Sequence, residues 1–78
     1  MARIRKLDEG AQNLRPHRSK VDCFYQIVDG PQGERLLHLS TFGSDNRASD
    51  PKSSQSIQMD REIAGQMMDV LRKAFPGL

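Results

Sequence analysis

A single helical stripe runs through this chain, and it lies at the far end. Ile63, Ala64, Met67, Val70, Leu71, Ala74 and Phe75 recur at helical spacing. Asp60 stands ahead of them as an N-cap. Its carboxylate suits both the free amides of a first turn and the positive end of the helix dipole. Glu62 adds charge of the right sign, Arg72 and Lys73 suit the negative end, and Pro76-Gly77 ends the helix. A chain with one good helix has one layer to lay against whatever sheet precedes it.

The sheet reads from alternation. Val21 to Val28 (VDCFYQIV) mixes β-branched and aromatic residues at period two, and Arg35 to Phe42 (RLLHLSTF) is its return strand. Between them Asp29-Gly30-Pro31-Gln32-Gly33 is turn chemistry. Gly43 to Lys52 is a polar loop by composition. Ser53 to Met59 (SSQSIQM) is a third strand, rich in Ser and Gln, that runs into the helix. Ala2, Ile4 and Leu7 suit a short edge strand, and Gly10 to Lys20 reads as linker or arm.

Parity divides the strands into two faces. Setting Val28 opposite Glu34 puts Val21, Cys23, Tyr25, Ile27, Leu37 and Leu39 on an odd face with Ile57 and Met59. Phe24, Gln26, Val28, Leu36, His38, Ser40 and Phe42 fall on an even face with Ser54, Ser56 and Gln58. A slip of one residue would mix the sets and bury polar groups. The helix is expected to cover the odd, apolar face, with Cys23 as a structural residue there. The mixed even face stays open, yet is too apolar to be merely solvated. Met68 and Val70 widen the helix stripe beyond what one sheet face needs.

Size argues in the same direction. The chain has 78 residues and 36% hydrophobic residues, enough for one domain with marginal burial. A lone cysteine, Cys23, rules out an internal disulfide and suits a reducing, cytoplasmic compartment. Cys23, His17 and His38 fall short of a zinc ligand set, so no metal or cofactor is expected. Self-association is the remaining support, most simply a homodimer. No run approaches the length of a membrane span, and none reads as an apolar leader segment.

Charge is uneven. Residues 1–20 carry six basic side chains (Arg3, Arg5, Lys6, Arg15, Arg18, Lys20) against Asp8 and Glu9, and residues 21–78 carry six basic against eight acidic. A basic arm, 1–20, ahead of a mildly acidic α+β domain, 21–78, is a layout of nucleic-acid binders. Catalysis finds no such support. His38, Ser40 and Asp45 lack the marks of a nucleophile elbow or an oriented base, so the chain reads as a non-enzyme without an evident small-molecule substrate. Single-strand binders pair basic grooves with aromatic faces for base stacking. Phe24 and Phe42 on the open face suit stacking. Arg35, Arg47 and Lys52 border it, and Arg3, Arg5, Lys6, Arg18 and Lys20 reach for phosphates from the arm. His38, Ser54, Ser56 and Gln58 offer hydrogen bonds to phosphates or base edges. Burial of Phe24 and Phe42 in a dimer interface stays open as the alternative.

From Arg35 to Phe75 the layout resembles the positive cofactor four-like transcriptional coactivators, which bind single-stranded DNA. The resemblance lies in the strand RLLHLSTF, a polar loop ending in Pro51-Lys52, the short strand SIQM, the cap Asp60 and one terminal amphipathic helix. It implies a dimer whose curved sheets form a saddle for nucleic acid, with the helices packed together. By similarity Phe42 matches an aromatic at the end of the second strand, and Lys52 lies near the family's basic residues before the last strand. This chain has Ser53-Ser54-Gln55-Ser56 where the family carries more positive charge.

The expectation is therefore an α+β domain with an antiparallel sheet of three or four strands and one C-terminal helix, dimeric. Its expected function is binding of single-stranded nucleic acid, DNA or RNA, with low sequence specificity, in transcription or replication. The other class is a protein-interaction module or small structural subunit whose open face takes a partner chain.

Overall fold

The structure, a computed structural model, describes residues 1–43 and 53–78, the side chains of Ser53 and Ser54 excepted. It is a small α+β fold. Strand β1 (Ala2–Arg3) is followed by β2 (Cys23–Asp29), β3 (Arg35–Phe42), β4 (Ser53–Met59) and the helix α1 (Arg61–Ala74). The four strands make one sheet in the order β1-β4-β3-β2. The polar loop falls, Gly43 apart, outside the described residues.

The sheet is mixed, where a wholly antiparallel one was expected. β2 with β3 and β3 with β4 are antiparallel, but β1 runs parallel to β4, with Ala2 beside Ile57 and Arg3 beside Gln58. The N–H of Ile4 extends this pairing by donating to the Gln58 carbonyl at 2.8 Å. β1 and β2 therefore run parallel at opposite edges. Three strand spacings of about 4.8 Å separate them, so the connection spans the width of the sheet. The basic segment is thus not a tail hanging from one end. It is tethered at both ends, and residues 8–20 are exposed along its length.

The hairpin register differs from the expected one by two residues. Val28 lies opposite Leu36, and Asp29 opposite Arg35. The turn explains the shift. A short 3-10 segment, Pro31–Gly33, closes it, with the Gly30 N–H donating to the Glu34 carbonyl at 2.6 Å. Gln32 and Gly33 both take positive φ, 61° and 76°. Because the shift is even, parity survives. In β4, odd residues still meet odd ones from Leu37↔Met59 to Thr41↔Gln55. The ladder then slips by one, and Phe42 pairs with Ser53. Parity thus assigns faces in β4 only from Gln55 onward.

The helix forms as its sequence dictates. Asp60 takes extended backbone, and its Oδ1 accepts from the Ile63 N–H at 3.0 Å. What the helix covers is a correction. It packs chiefly on β4, by its first turns: Ile63 is buried, Ala64 and Met67 are half-buried, and residues 68–78 are exposed. The odd face is left largely bare. Tyr25 is 72% exposed, Ile27 64% and Ile57 38%. Cys23, expected inside, is exposed. Among the described residues the buried apolar set is Leu36, Met59 and Ile63. Leu36 belongs to the even face, so the core sits at the turn end of the sheet rather than over one whole face.

Candidate functional site

The even face can be built row by row from the strand register. Nearest the turn lie Val28 and Leu36. The next row crosses all four strands: Gln26 on β2, His38 on β3, Gln58 on β4 and Arg3 on β1. Beyond it come Phe24, Ser40 and Ser56, and then Phe42. Alternation along each strand is what gathers these side chains on one side.

Two contacts organise the face. Phe24 and Phe42 meet edge to face, with centroids 5.1 Å apart and planes at 79°. This is a favoured aromatic geometry, and it fixes both rings. Phe24 remains 57% exposed, so a broad part of the pair is open to a ligand. One row away, Gln58 Nε2 lies 3.0 Å from His38 Nδ1. His38, Ser40, Ser56 and Gln58 are half-buried, and Gln26 is exposed. The centre of the face is thus polar and uncharged, flanked by aromatic rings. Gln58 and Ser56 also line an open recess of about 220 Å³ with Met1, Ala2 and Arg3.

The expected cations divide. Arg3 is engaged: its Nη2 donates to Glu34 Oε2 at 2.6 Å and lies 3.7 Å from Asp60 Oδ2. The Glu34 hydrogen bond raises its guanidinium above the ordinary value, so Arg3 stays cationic at every working pH. It clamps β1 to the hairpin turn and to the helix cap. Lys6 pairs with Asp8 at 3.1 Å. Arg5, Arg18 and Lys20 lie exposed on the tethered segment. Arg35 does not border the even face as expected. It sits on the odd side opposite Asp29, where it lines an open cleft of about 540 Å³ with Ile27, Leu37, Met59 and Ala64. Arg47 and Lys52 lie outside the described residues. Ser54 lies in β4, and its side chain is outside them too.

The structure brings Phe24, His38, Phe42, Ser56 and Gln58 together on one surface. Gln26 and Ser40 belong with them, though they were not among the expected contacts. Alternation had already placed both there, and that was the available signal. Among the described residues no group of His, Cys, Asp or Glu is arranged to hold a metal ion. No helix there is long and apolar enough to cross a membrane. Comparison of the chain with protein-family models, curated proteins and solved structures finds no match.

Proposed function

We propose that the chain binds single-stranded nucleic acid on the even face of its sheet, with low sequence specificity, and does so as a homodimer. The observation that carries this is the Phe24–Phe42 pair, Phe24 exposed and Phe42 half-buried, beside a row of hydrogen-bonding side chains. Stacking on an aromatic face contributes about 1–3 kcal/mol per base and tolerates any base. Gln26, His38, Gln58, Ser40 and Ser56 supply hydrogen-bond donors and acceptors at the centre of the face. Positive charge comes from the side: Arg5, Arg18 and Lys20 ride on a segment that spans the sheet from edge to edge. The resemblance to the single-stranded-DNA-binding coactivators points to the same face. The bare odd face and the unpacked helix stripe support the dimer.

A labelled oligothymidylate titration tests the proposal. Affinity is expected at low salt and should fall linearly on a log–log plot against salt, with a slope of about −0.7 per phosphate neutralised. Phe24→Ala and Phe42→Ala should each weaken binding about tenfold or more while the circular dichroism spectrum holds. Absence of binding at low salt would sink the proposal. It would leave the open face to a protein partner.

A further inference from the structure

We infer that His38 and Gln58 form a proton-controlled contact at the centre of the even face, one that strengthens nucleic-acid binding as pH falls. The inference rests on the function proposed above and assigns a regulation to that site.

Gln58 Nε2 is 3.0 Å from His38 Nδ1. An amide nitrogen only donates, so in this arrangement Gln58 donates and Nδ1 accepts. Histidine is the side chain that ordinarily changes charge between pH 5 and 8. When a proton adds to Nδ1, that nitrogen becomes a donor, and two donors then face each other at 3.0 Å. Rotation of the Gln58 amide by half a turn resolves the conflict, since Oε1 then accepts from Nδ1–H. Both consequences favour a polyanion. The face gains a cation, and Gln58 exchanges an acceptor for its NH2 donors on the side away from His38.

The surroundings make this the charge that matters. By register His38 sits between Gln26 and Gln58, with Phe24 and Val28 diagonal on β2, Ser56 diagonal on β4, and Leu36 and Ser40 along its own strand. None of these is charged, and the other diagonal past the end of β4 is the carboxylate of Asp60. Among the described residues the charged side chains on this face are Arg3, one strand beyond Gln58, and its partners Glu34 and Asp60. Asp22 adds a carboxylate at the far end, opposite Phe42. Arg61 and Glu62 at the helix start line the cleft with Ile27, Leu37 and Met59, residues of the opposite face. One guanidinium against three carboxylates, Glu34, Asp60 and Asp22, leaves these groups acidic when His38 is neutral. Protonation of His38 offsets part of that excess where a strand would lie.

The test is the oligothymidylate titration at pH 8 and pH 5.5, chosen because thymine does not titrate in that range. Affinity should rise about three- to tenfold at the lower pH, and the salt slope should steepen by about 0.7, the equivalent of one added phosphate contact. His38→Gln should abolish the pH response whatever its absolute affinity, and His17→Gln should retain it. In the free protein, the Gln58 side-chain amide resonances should shift between pH 8 and pH 5.5, and should not in His38→Gln. Binding that is equally tight at both pH values, or a response that persists in His38→Gln, overturns the inference and leaves the proposed function standing. Absence of binding at both pH values overturns the two together.

Discussion

At the residue scale, Met59 shows how few side chains hold the protomer. It is 4% exposed, at the end of β4 beside Leu37, one residue from the helix cap. With Leu36 and Ile63 it makes up the buried apolar set, so little can reorganise to fill a void. Met59→Ala should cost about 2–4 kcal/mol, transfer and cavity terms together. Urea unfolding measures this directly, and a loss below about 1 kcal/mol would mean the site collapses freely around the gap. Its burial was legible, since odd parity and the adjoining cap both place it inward. The burial of Leu36 was not. Even parity put it among polar neighbours, and nothing in the alternation marks the turn end, where Glu34 and Arg3 converge, as different from the rest of that face. Cys23 failed in the opposite sense: parity gave it the right face, but parity does not say whether a face is covered.

At the scale of elements, α1 was readable to within a residue because its signals are local. Cap, stripe and terminator all lie in Asp60 to Gly77. The hairpin was readable in its strands and its parity, but not in its pairing. Turn residues announce a reversal without counting how many of them stay outside the ladder. For β1 a short edge strand was legible in Ala2, Ile4 and Leu7, but not its parallel pairing with β4, since two residues paired across the sheet leave no periodic trace. Asp60 joins these elements, as it caps the helix and approaches Arg3 of β1. Its two roles can be separated. Asp60→Ala removes the cap and should cost about 1 kcal/mol. Asp60→Asn keeps a capping oxygen and loses only an exposed ion pair, a contact worth little, so it should fall within about 0.5 kcal/mol of the parent. Thermal melts followed by helix ellipticity decide between them. An Asn variant as unstable as the Ala variant would show that the Arg3 contact, not the cap, holds the helix start.

At the scale of the molecule, the single chain is open. Its accessible surface is 7550 Å², whereas a compact monomer of 8.8 kDa exposes about 4,800 Å². Its radius of gyration is 14.8 Å, against about 11.5 Å for a compact chain of this length. The excess is apolar where it matters. Tyr25, Ile27 and Ile57 on the odd face, with Met68, Val70, Leu71 and Phe75 on the helix, expose roughly 800 Å² between them, the amount each partner contributes to a standard interface. A sheet face and a helix stripe of matching area on one chain suit a twofold arrangement, in which each copy offers what the other lacks. Hydropathy could show that the stripe was wider than one sheet face requires, but not that the helix leaves that face. The expected species in light scattering at micromolar concentration is therefore a dimer, with a melting temperature that rises with protein concentration. Phe75→Glu buries a charge in the proposed interface and should shift the chain toward monomer, lowering its melting temperature and removing that concentration dependence. His38→Gln, on the other face, should leave both dimer and concentration dependence in place. A monomer with a melting temperature independent of concentration would mean that three buried side chains and a sheet suffice to hold this fold, and the dimer would have to be given up.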